Sequence, residues 1–203
     1  MLTVYHAPMT RSLRVVWILE ELGLAYAVER IKFRPDVLQS PEFRRISPAG
    51  RLPALLDGDL VMIESGAIVQ YLLGRFGEGR LVPATESPDW PRYLQWFFFA
   101  EATAMPAFSD FVQHSFGRPE PLRISAMVDD AKGRSHQILT ILDEALADHD
   151  YVVGSAFTAA DIMLGQTLLL AEFAKLLTTS QANIGAYLSR LKDRPALQRA
   201  LKA

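Results

Sequence analysis

The sequence predicts an α/β half followed by an all-α half, and three observations carry that prediction. The opening residues read strand, helix, strand. A second pair of short strands then flanks Asp57-Gly58-Asp59 and runs into another helix. Beyond Trp90 no strand pattern remains.

Taken in order, Leu2 to His6 (LTVYH) is β-prone and Ala7-Pro8 breaks it. In SLRVVWILEELGL, Leu13, Val16, Trp17 and Leu19 fall on successive helical turns, and Gly23 supplies a left-handed stop. Ala25 to Ile31 reads as a second strand, parallel to the first because such crossovers are right-handed. SPEFRRISPAG is a short helix or turn region bounded by prolines. Leu52 to Leu56 and Leu60 to Ile63 form a hairpin about Asp57-Gly58-Asp59, and a helix from Ser65 to Phe76 closes the half.

GEGRLVPATESPDWP, rich in Gly, Pro and small polar residues, suits a linker. Helices are then predicted over 90–114 with a bend near Pro106, and over 121–148, 158–176, 183–193 and 195–202. Thr158-Ala-Ala-Asp161 fits a capping box. The predicted domains are 1–77 and 89–203, joined by a linker over 78–88.

Composition narrows the function classes. Half of the 203 residues are apolar and the formal net charge is -2, so nothing attracts nucleic acid or an anionic membrane. There are no cysteines, which excludes disulfides, thiolate metal sites and a protein thiol as nucleophile. Any sulfur chemistry must draw its sulfur from a ligand. His114 and His136 lie on helical stretches without ligand spacing, so no metal is expected. The longest apolar runs fall far short of the roughly 18 residues that span a bilayer. The N-terminus also lacks a basic segment followed by an apolar one, so the cytoplasm is the expected location.

Three local features suggest a ligand. At the junction Pro8-Met9-Thr10-Arg11-Ser12, a strand end meets a helix N-terminus, where free amides and the helix dipole favour negative charge. Thr10 and Ser12 offer hydroxyls there, although either also fits a simple helix cap. Leu52-Pro53 stands at the mouth of a strand, where a cis bend would turn the Leu52 N–H and C=O toward an extended ligand. Glu64-Ser65 opens a helix: Ser65 suits a carboxylate and Glu64 an ammonium, the two ends of a free α-amino acid. A small peptide with such an end and a thiolate fits all three features, and glutathione has that shape.

These residues resemble the cytosolic glutathione S-transferase superfamily over essentially the whole chain. The resemblance rests on TRSLRVVWILEELGL, SPAGRLPAL at 47–55, MIESGAIVQYL at 62–72 and FTAADIML at 157–164, in that order. It implies a thioredoxin-like first domain and a helical second one, in a bacterial-type homodimer working in detoxification. Leu52 and Pro53 would meet the cysteinyl backbone of glutathione, Glu64 and Ser65 its γ-glutamyl end, and Arg51 its glycine carboxylate.

Without a cysteine, the chain is similar to members that activate the thiol with a hydroxyl. One helical turn before Arg14 lies Thr10, with Ser12 as the second candidate. A small hydrophobic electrophile would bind in a cleft walled by Met9, Tyr93, Trp96, Phe97, Met105 and Phe108. The resemblance also leaves open an isomerase, a dehalogenase, a peroxidase or a non-catalytic binding module on the same scaffold.

Overall fold

The computed structural model describes all 203 residues, which divide into two compact units. The first comprises Met1–Leu81 together with Lys192–Ala203, and the second is Val82–Leu191.

The first unit is built on a four-stranded mixed sheet in the order β2-β1-β3-β4. β1 (Leu2–His6) and β2 (Tyr26–Arg30) are parallel, joined by α1 (Ser12–Leu22). The short helices α2 (Pro35–Leu38) and α3 (Pro41–Ile46) fill the proline-bounded region. β3 (Ala54–Asp57) and β4 (Leu60–Ile63) form the antiparallel hairpin turned at Gly58, whose φ is 60°, and α4 (Ser65–Phe76) follows. Two of the four strands therefore arise from adjacent sequence and two from a crossover, as in a thioredoxin-like domain.

α1 is buried on nearly every side, since Leu13, Arg14, Val15, Val16, Trp17, Ile18 and Leu19 are all enclosed. It packs against β1, α4 and the last helix, α10 (Pro195–Ala200). Three covered faces explain why its apolar residues run consecutively at Val15 to Leu19. A smaller core of Ala7, Leu38, Phe43 and Leu52, with Tyr5 and Ile31 against it, ties the end of β1 to the loop before β3.

The second unit is helical. The stretch expected as one bent helix over 90–114 is α5 (Trp90–Phe98), a π-helical turn at Phe99–Ala104, α6 (Met105–Val112) and a second π turn at Gln113–Gly117. Pro106 has no N–H to return to a carbonyl one turn back, and the widened turn directly precedes it. α7 (Ser125–Ala145), α8 (Ala159–Phe173) and α9 (Ala182–Lys192) complete the unit.

The helical domain expected over 89–203 differs at its end. The helix at 195–200 belongs to the first unit, where Arg194 meets the Glu21 carboxylate through Nε at 2.7 Å and Nη2 at 2.8 Å. The expected linker over 78–88 spans the point, after Leu81, where the two units part. No helix is long and apolar enough to cross a membrane.

Candidate functional site

Two short runs of sequence line one pocket of the first unit: Arg51, Leu52 and Pro53, and Glu64 and Ser65. Arg11, Ser47, Ala49 and Ile63 complete its wall. The Leu52-Pro53 peptide is cis. Leu52 tucks its side chain into the small core with Ala7 and Phe43, and neither its N–H nor its C=O has a backbone partner in the chain. A free donor and acceptor on one residue are what an extended peptide needs to add itself as a strand.

The loop that presents Leu52 is held by Ser47, which sequence reasoning did not single out. Its hydroxyl donates to the Arg51 C=O at 2.7 Å and accepts from the Arg51 N–H at 3.2 Å. Gly50 sits between them at φ 61°, where a Cβ would stand 2.6 Å from the Leu38 carbonyl oxygen. Only glycine fits both that backbone and that space.

Across the pocket, Glu64 is exposed and held at φ 69°, a left-handed value unusual for a side chain with a Cβ. The bend lets α4 begin at once: Ile68 N–H makes the first intrahelical bond to the Glu64 C=O at 2.9 Å. The amides of Ser65, Gly66 and Ala67 therefore precede the hydrogen-bonded ladder. Beneath them Arg14, 0 % exposed, donates from Nη1 to Ser65 Oγ at 3.0 Å. Because Ser65 accepts that bond, its own proton stays available to a carboxylate. Helix dipole and buried guanidinium together make this corner favourable to an anion. Arg14 was used in the sequence only to locate Thr10. Its partner lies 51 positions away, and no local signal marks the pairing.

At the β1–α1 junction Met9 has φ 61°, and the turn places three polar side chains in a row. Thr10 Oγ1 lies 2.8 Å from the Ala7 C=O and 2.6 Å from Ser12 Oγ. Ser12 Oγ lies 2.8 Å from His6 Nδ1 and also accepts the Ala7 N–H at 3.3 Å. Ser12, the second candidate for thiol activation, is 0 % exposed and sits at the inner part of the row. Thr10, 9 % exposed and adjacent to the pocket-lining Arg11, is the hydroxyl at the outer end of the row. His6, 2 % exposed, was missed. Burial, with Arg30 opposite it on β2 adding to the effect, holds its pKa below 6.5. Tyr5 packs against the small core, its ring 6.3 Å from that of Phe43.

The aromatic wall expected for an electrophile is largely core. Tyr93, Phe97 and Phe108 are almost fully buried, and Tyr93 stands 5.6 Å from Trp90 and 5.7 Å from Phe97 between ring centroids. Trp96 and Met105 are buried as well, and Trp96 meets Phe99 edge-on at 5.2 Å. Of the four consecutive large apolar residues, Trp96 and Phe97 are buried and Phe98 is exposed. Met9 differs, being 56 % exposed.

The glutathione S-transferase N-terminal domain family matches residues 1–74 and the C-terminal domain family matches 126–203. Glutathione S-transferase 1 of Schizosaccharomyces pombe is 30% identical over 161 residues, 77% of this chain and 69% of that protein. The chain belongs to the glutathione S-transferase superfamily.

Within that superfamily its relatives differ in activity. The disulfide-bond oxidoreductase YfcG of Escherichia coli is 24% identical over 208 residues, 99% of this chain and 94% of that protein. Among solved structures, a glutathione transferase of Pseudomonas putida with one glutathione disulfide bound per subunit superposes with a TM-score of 0.89. It has 27% identity and covers 99% of this chain and 90% of its own. The superfamily fold accounts for the thioredoxin-like unit, the helical unit and the order of the four motifs.

Proposed function

We propose that this superfamily member binds glutathione in the pocket between Leu52 and Glu64, stabilises its thiolate and conjugates it to small hydrophobic electrophiles, acting as a cytoplasmic homodimer. The observation that carries the reading is the convergence of Arg51, Leu52, Pro53, Glu64 and Ser65 on one pocket. In it, Leu52 pairs with the cysteinyl backbone. Ser65 and the α4 amides take the γ-glutamyl carboxylate, Glu64 takes its ammonium, and Arg51 faces the glycine carboxylate.

Thr10 donates its hydroxyl proton to the sulfur. A free thiol titrates near 8.5, so lowering it by about two units takes roughly 2.7 kcal/mol of preference for the thiolate. One hydroxyl donor with the α1 N-terminus is of that order. The thiol proton leaves to solvent, and the thiolate forms a carbon–sulfur bond to an electrophile held beside it, which either expels its leaving group as an anion or, where it adds across a double bond, takes a proton back from solvent. Met9, exposed next to Thr10, is the expected pocket residue that stays open to such a molecule.

A second reading, reduction of mixed disulfides by glutathione, is favoured by the resemblance to YfcG and to a structure holding glutathione disulfide. With no cysteine in the chain, all three sulfurs would come from ligands: the glutathione thiolate attacks the mixed disulfide, forming glutathione disulfide and releasing the partner as a thiolate that takes a proton from solvent. One assay separates the readings. Turnover of an electrophile panel that falls about tenfold or more in Thr10→Val supports conjugation. Reduction of a small mixed disulfide without any conjugation supports the second reading. Retention on immobilised glutathione with neither activity would mark a binding module.

A further inference from the structure

The row His6–Ser12–Thr10 contains more close contacts than its hydroxyls have protons. Three contacts short enough to need a hydrogen run through it: His6 Nδ1 to Ser12 Oγ at 2.8 Å, Ser12 Oγ to Thr10 Oγ1 at 2.6 Å, and Thr10 Oγ1 to the Ala7 carbonyl oxygen at 2.8 Å. Each hydroxyl supplies one proton and the carbonyl supplies none. The third proton must therefore sit on His6 Nδ1.

That count fixes the direction of the whole row. Ser12 Oγ has two lone pairs, and the Ala7 N–H and the His6 Nδ1–H fill them. Its single proton then goes to Thr10, which lies closer than the Ala7 carbonyl at 3.3 Å. Thr10 Oγ1 accepts from the Ser12 hydroxyl and from the Ser12 N–H at 3.3 Å, so its own proton is the one left to move. Without a ligand that proton rests on the Ala7 carbonyl, and with one it turns outward. The other imidazole tautomer reverses everything: Nδ1 would accept from Ser12, Ser12 would draw the Thr10 proton inward, and Thr10 would face a sulfur with lone pairs only. Because the buried ring is neutral, its tautomer is set by this count.

We propose that His6, acting through Ser12, is a positioning residue that points the Thr10 hydroxyl proton toward the ligand sulfur. The inference rests on the reading of Thr10 as the thiolate donor, and the tests keep the two apart. In the wild type, nitrogen NMR of the ring, assigned by its loss in His6→Asn, is expected to show a neutral imidazole protonated at Nδ1. A ring protonated at Nε2 overturns the inference whatever the variants do.

In His6→Leu and Ser12→Ala, the thiol of bound glutathione is expected to titrate about one unit higher, the worth of roughly one hydrogen bond, so that its ultraviolet thiolate absorbance at neutral pH and kcat each fall about threefold. Glutathione affinity by calorimetry is expected to hold within about the same factor. His6→Asn, whose side-chain amide can place an N–H where Nδ1–H stands, is expected to recover most of the loss. Wild-type absorbance in folded His6→Leu and Ser12→Ala, alongside loss in Thr10→Val, overturns the role of His6 and leaves that of Thr10 intact. Full absorbance in Thr10→Val removes both.

Discussion

His6 carries a cost as well as a proton. Its pKa lies below 6.5, chiefly because burial disfavours the imidazolium and secondly because Arg30 faces it. As pH falls past 6.5, the unfolded chain takes up a proton that the folded chain refuses. The stability tied to His6 is therefore complete above 6.5 and is lost as pH falls through the lower folded-state value. Melting temperature should drop more steeply between neutral pH and about pH 5 in the wild type than in His6→Asn. Parallel curves would assign acid sensitivity to other groups. None of this was readable from YHAPMTRS alone. A histidine closing a β-strand looks like any other strand residue, and what distinguishes it is a loop conformation, Met9 at φ 61°, that folds Ser12 back onto it.

Whole elements were more legible than single contacts where their cause was local. The hairpin could be read from Asp57-Gly58-Asp59, because turn chemistry acts over a few residues. The π turn at Phe99–Ala104 was not legible, since it comes from fitting a helix past Pro106 and into a core rather than from propensity. The capping box of α8 shows what a local motif gains from its surroundings. Asp161, 0 % exposed, accepts from Thr158 N–H at 2.8 Å, as the spacing predicts, and from Thr158 Oγ1 at 3.0 Å. It also accepts from Val152 N–H at 3.0 Å and Tyr187 Oη at 2.9 Å, which the spacing does not reveal. Burial pushes its carboxyl upward while these donors pull it back. Asp161→Ala strands several buried donors at once, so a loss of about 3 kcal/mol is expected, read as a lower urea midpoint. A midpoint unchanged within error would show that the donors find water or other acceptors.

At the scale of the molecule, the chain's last segment tells against reading domains as consecutive blocks. Residues 192–203 belong with the first unit although a helical stretch of more than a hundred residues separates them from it. Sequence could place a helix at 195–200 but not assign its partner, because Ala196, Leu197 and Ala200 would suit any apolar surface. The partner is α1, and the pairing is anchored where Glu21 accepts from both Arg194 and, at 2.9 Å, Trp17 Nε1. That gives the C-terminal segment a stake in the binding pocket. α1 carries Ser12 at its start and Arg14 beneath Ser65, and its outer face is completed by α10. Leu197 is 1 % exposed, so Leu197→Ala should cost about 2–5 kcal/mol through lost burial and the cavity left behind. If α1 is held in place by α10, glutathione affinity should fall together with stability, and the loss should be recovered by Leu197→Met, which restores volume. A destabilised Leu197→Ala that binds glutathione with wild-type affinity would show instead that β1 and α4 suffice to position α1.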